Sequence, residues 1–86
     1  LRSLAGTRMY LFDLCERLFA RRDPDLARFY HAALREPRDR HSMREVGEAL
    51  IAEVSKVAGD ERAQGIRERL KQLQPPERAL SAAMSD

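Results

Sequence analysis

Two histidines, one cysteine and several glutamates are the residues of this 86-residue chain whose types could carry chemistry on their own. An exposed helical imidazole can accept a phosphoryl group, and His31 is expected to be exposed because it falls away from the Phe29/Ala33 side of its helix. Its plain alternative is an ordinary surface side chain. His41 lies between Arg40 and Ser42 in a charged segment. Cys15 is the sole cysteine, so no internal disulfide can form, and one thiol with two separated histidines makes a poor zinc set. Its neighbours Leu11, Leu14 and Leu18 make it read as a small buried hydrophobe. Glu45, Glu48 and Glu53, then Glu61 and Glu68, could pair for acid–base or two-metal work inside a bundle. They lack the Glu-x-x-His spacing of such sites and fall off the apolar faces, so a solvated surface is the simpler reading. The chain has no His-Glu-x-x-His, Cys-x-x-Cys, glycine-rich phosphate loop or Gly-x-Ser-x-Gly elbow. The expectation is therefore a protein that is not an enzyme and needs no cofactor or metal.

Arginine is the other chemically notable residue. Fourteen Arg stand against two Lys, and a guanidinium suits phosphate and carboxylate recognition. Residues 1–44 hold ten Arg against six acids, whereas residues 45–86 hold six bases against eight acids. Arg21, Arg22, Arg28, Arg35, Arg38, Arg40 and Arg44 form the candidate contact set for an anion or a nucleic acid. Asp23, Asp25, Glu36 and Asp39 interrupt this set. Phe12, Phe19 and Phe29 are expected to be buried, which leaves few rings for base stacking. A bacterial-like, arginine-rich composition explains the same excess without a role.

The segment His31-Ala32-Ala33-Leu34-Arg35-Glu36-Pro37 resembles the His-x-Leu-Arg-x-Pro box of histidine-kinase dimerisation domains. Registering Leu34 to Pro37 on that box puts Ala32 at the phosphoacceptor place. The resemblance covers seven residues and implies at most a phosphotransfer role for His31, the least favoured of three functional readings.

The elements that would position these residues are helices. Apolar residues recur at about 100° per residue in four segments, and no stretch alternates like a strand. The first, over 4–21, carries Leu4, Leu11, Leu14, Cys15 and Leu18 with Ala5, Met9, Phe12 and Phe19 beside them. This arc covers about half the circumference, wider than an ordinary surface helix needs, so contact with two neighbours or with another chain is expected. The second, 24–36, opens on Asp23-Pro24-Asp25, an N-cap, an N1 proline and an acid at the positive end of the macrodipole. It ends before Pro37. The third, 43–58, is expected to start at a capping box of Ser42 and Glu45, with Met43, Val46, Leu50, Val54, Val57 and Ala58 as its apolar face and Ile51 at the edge. Gly47 in that face implies close approach of another helix, and Gly59 reads as the terminating residue. The fourth, 61–74, is capped by Asp60 and carries Ala63, Ile66, Leu70 and Leu73 in a narrow seam. Residues 77–84 add a short tail helix or a frayed end.

The connections are short, which favours antiparallel neighbours. The expected fold is all-α, a compact antiparallel bundle of about four helices in a single domain over 1–86. The chain begins at Leu1 without an initiator Met, so it is expected to be a piece of a longer protein. No apolar run nears the ~20 residues that span a bilayer, and a lone cysteine suits a cytoplasmic setting. A chain of this size hides only roughly 60–65% of its unfolded surface, which suits docking modules and dimers. The favoured function is a helical protein–protein interaction or regulatory module, an adaptor or dimerisation unit, with Met9, Phe12, Phe19, Ile66, Leu70 and Leu73 as its candidate interface. A nucleic-acid binder using the arginine-rich half is the alternative.

Overall fold

Caps, prolines and one glycine divide the chain into four helices. The computed structural model describes residues 3–74, and the tail expected over 77–84 lies outside them. The helices are α1 (Leu4–Phe19), α2 (Pro24–Arg35), α3 (Arg40–Ala58) and α4 (Asp60–Leu73). They form the all-α bundle expected from the periodicity, and no strand occurs among the described residues. None of these helices is long and apolar enough to cross a membrane.

Local chemistry sets the boundaries. Ser3 caps α1 by accepting from the Gly6 N–H at 2.9 Å. Asp23 caps α2 by accepting from the Leu26 N–H at 3.2 Å, with Pro24 following it as expected. The third helix differs from the sequence reading. It begins at Arg40, and Asp39 is the N-cap while Ser42 occupies N3 of the capping box. The Ser42 N–H and hydroxyl donate to Asp39 Oδ1 at 2.8 and 2.7 Å. A carboxylate at the positive end of a helix gains from the macrodipole as well as from the bond, which a serine cap cannot do. Glu45 takes no part in the box, and its carboxylate lies 3.8 Å from His41. Gly59, at φ 91°, both ends α3 and starts α4. This left-handed conformation lets a single residue reverse the chain. Asp60, expected as the cap, is instead the first residue of α4 and accepts from the Ser55 hydroxyl.

The α1–α2 and α3–α4 hairpins are each antiparallel. Cys15 Sγ donates to the Ala27 carbonyl at 3.6 Å, and Arg8 Nε donates to the Leu34 carbonyl at 2.8 Å further along α1 and α2. Gly47 and Glu48 of α3 meet Leu70 and Arg67 of α4. The Ser3 N–H donates to the Leu73 carbonyl at 3.0 Å, which brings the start of α1 to the end of α4. α1 thus packs on all three other helices. That accounts for its wide apolar arc within the chain itself. Leu11, Cys15, Phe19, Leu34, Met43, Leu50 and Val54 are fully buried and form a core to which every helix adds residues. Gly47 is the closest approach: a Cβ built there would lie 3.1 Å from Leu70 Cδ1 and 3.7 Å from Leu11 Cδ1. The missing methyl is the space that α4 occupies.

Phe29 corrects the expected core. It is 63% exposed. The side of α2 that meets α1 and α3 carries Ala27, Tyr30 and Leu34, all buried. At 100° per residue Phe29 lies about 160° round the helix from Ala27, so it points away from both neighbours.

Candidate functional site

The apolar residues expected to form an interface divide sharply in the fold. Phe19, Ile66 and Leu70 are buried by the chain's own helices, because the seam of α4 packs into the α1–α3 side of the bundle. Leu73 and Phe12 are half-buried, and Met9 alone is open, at 66% exposed. Phe12 stacks on His31 with ring centroids 5.1 Å apart. His31 Nε2 also lies 3.0 Å from Glu16 Oε1. The imidazole is thus half-buried and held between α1 and α2, where an open surface position was expected. Cys15 is fully buried, and burial first, then the Glu16 carboxylate, pushes its thiol up, which disfavours the nucleophilic thiolate. Among the described residues no three His, Cys, Asp or Glu groups are placed to hold a metal ion.

The arginines divide in the same way. Arg28 pairs with Asp25 one turn before it, and Arg21, Arg22, Arg35 and Arg38 are exposed around the ends of α1 and α2. Arg40 and Arg44, one turn apart on α3, instead enter a cleft between the start of α3 and the end of α4. From α4 come Arg67 and Lys71, with Leu70 and Gln74 at the base, both nearly buried. The antiparallel register brings these two groups together. The volume is about 520 Å³.

Among the described residues of this lining Glu48 is the one carboxylate. Arg67 Nη2 donates to Glu48 Oε1 at 3.0 Å, and Arg67 Nε lies 3.3 Å from both carboxylate oxygens. This fork holds the Glu48 carboxyl below the usual range, helped by the charges of Arg67, Arg44 and Lys71 and opposed by partial burial. The same pairing raises Arg67. Lys71 lies 3.5 Å from Glu68 on its own helix. Basic and acidic side chains thus alternate around the cleft, with Glu45 and Glu48 beside Arg44 and Glu68 beside Lys71. Arg67 and Lys71 were not singled out in the sequence. They lie in the acidic half of the chain, and the signal that finds them is their i, i+4 spacing with Gln74 on the side of α4 next to the buried seam.

No protein-family model, curated protein or solved structure matches this chain.

Proposed function

We propose that the protein is a non-catalytic helical interaction module that associates with a second copy of itself through the outward face of α2. The observation that carries this reading is Phe29. It is a large apolar side chain, 63% exposed, on a helix whose opposite side is sealed into the core. Ala32, also exposed, lies one turn further along the same face. In an antiparallel pairing about a two-fold axis between them, each Phe29 covers the partner's Ala32, a large group over a small one. That self-complementarity is what an isologous contact requires. Phe29 is held edge-on against Tyr30, with ring centroids 5.1 Å apart, so the ring is already oriented and loses little freedom on contact.

Sedimentation velocity over a concentration series tests the reading. The full chain is expected to pass from monomer to dimer, and Phe29→Ser is expected to remain monomeric with an unchanged helical spectrum. A chain that stays monomeric at the highest concentration, or a Phe29→Ser variant that dimerises equally, overturns it.

A further inference from the structure

The outer side of α1 carries a second apolar stripe, separate from the α2 face. Ala5 and Met9 are exposed, Met9 at 66%, and Phe12 is half-buried beside them. Their i, i+4, i+7 spacing puts all three on one side of the helix. This stripe begins where α4 ends, because the Ser3 N–H donates to the Leu73 carbonyl at 3.0 Å. Gln74 leaves α4 in an extended conformation, at ψ 148°. From Ser3 to Met9 is about 9 Å along α1. Val57, another exposed apolar residue, lies beyond the opposite end of α4, about 20 Å away along that helix.

We propose that the outer stripe of α1 is the docking site of this chain's own C-terminal segment, residues 77–84. These residues lie beyond the described part of the chain. Their sequence places Ala79, Leu80, Ala83 and Met84 in one stripe at helical spacing. Eight residues are too few for a helix to persist by itself in water, where even about 12–15 are marginal, so this stripe needs a surface to pack on. The reach is sufficient. Gln74, Pro75 and Pro76 span up to about 10 Å when extended, close to the roughly 8–10 Å between packed helix axes. From there a segment running parallel to α1 sets Leu80 against Ala5 and Met9, and Met84 one turn on against Phe12, a thioether on an aromatic ring. Size favours the tethered segment over a second copy. Stable contacts between chains bury about 800 Å² per partner, more than three side chains offer. A segment joined by so short a linker is held at an effective concentration on the order of millimolar.

The test is methionine-methyl NMR of the full chain with a nitroxide at Ser85→Cys. Cys15 is fully buried, so the label attaches at residue 85. The Met9 methyl, identified by its absence in Met9→Leu, is expected to lose most of its intensity to the label and to recover it in Leu80→Ser. A mixture of labelled chain with unlabelled, methyl-enriched chain is expected to show no such loss. Phe29→Ser should leave the effect unchanged, so failure of the α2 contact and failure of this docking are read apart. Circular dichroism of Leu80→Ser should show a small loss of helix, with the unfolding midpoint of the bundle retained. A Met9 signal indifferent to the label, a loss that persists in Leu80→Ser, or a loss seen only between different chains overturns the proposal.

Discussion

In the α1–α2 hairpin, Arg8 reaches across to the carbonyl oxygens of Leu34 and Pro37 at the end of α2. In the α3–α4 hairpin, Arg67 reaches across to a carboxylate at the surface, and Arg44 and Lys71 face an open cleft. The first arginine satisfies backbone acceptors that a helix end would otherwise leave without partners. The second belongs to an ion pair that water already screens. One hairpin uses its cation to close the backbone at a helix end, and the other places its cation in an ion pair at the surface. Their joints differ in the same sense. The first turn has an aspartate cap and a proline, whereas the second turns on Gly59 with the Ser55 hydroxyl donating to Asp60 across it.

Core truncation is expected to have the largest effect in either hairpin. Phe19→Ala removes a fully buried ring and should cost about 3–5 kcal/mol in urea unfolding. A loss under about 1 kcal/mol would mean the ring is not packed as described. Next comes Gly47→Leu, which pushes carbon into the space held by Leu70 and Leu11. Overpacking of this kind costs about 1–3 kcal/mol, read as a lower midpoint; an unchanged midpoint would mean that α3 and α4 are not in close contact. The third test addresses the contrast between the cations directly. Arg8→Met keeps the aliphatic stem and loses both carbonyl bonds, for about 1–2 kcal/mol, whereas Arg67→Met should cost about 0–1 kcal/mol because its pair is partly exposed. Equal losses would end the distinction drawn between the hairpins.

The smallest effect is a pH dependence. The folded Glu48 carboxyl is lowered relative to the unfolded chain, first by the Arg67 bond. Its contribution is therefore complete above the unfolded carboxylate range and is lost as pH falls through the lowered native value. Partial exposure keeps the amount below about 1 kcal/mol. In Arg67→Met this acid-side part of the stability curve should flatten, and an identical acid limb in the two proteins would show that the pair has no energetic role. Asp39 titrates in the same direction, because the Ser42 backbone and hydroxyl bonds lower it, and Asp39→Asn should remove that share of the acid limb.

Helical periodicity, the Asp23-Pro24 start, the chain reversal at Gly59 and the packing role of Gly47 were all legible in the residues alone. They depend on local geometry or on a single missing side chain. The start of α3 was misread because two overlapping capping patterns share Ser42, and only the folded backbone selects the carboxylate of Asp39. Leu11, Leu14 and Leu50 declared themselves as core by spacing. Ile66 and Leu70 looked equally suited to an intermolecular seam, since an apolar stripe does not specify which surface covers it.

The sequence determined the number of helices, their approximate limits and the apolar stripe of each, because an α-helix repeats every 3.6 residues and places its side chains by that period. The tertiary structure alone decided that Phe29 is left outside and that Arg44 and Lys71, far apart in the chain, share one cleft. Both outcomes depend on how each helix is rotated about its axis and which neighbour it meets. That choice is made by the packing of the whole core, with the close approach at Gly47 and the reach of Arg8 across two helices as its visible marks.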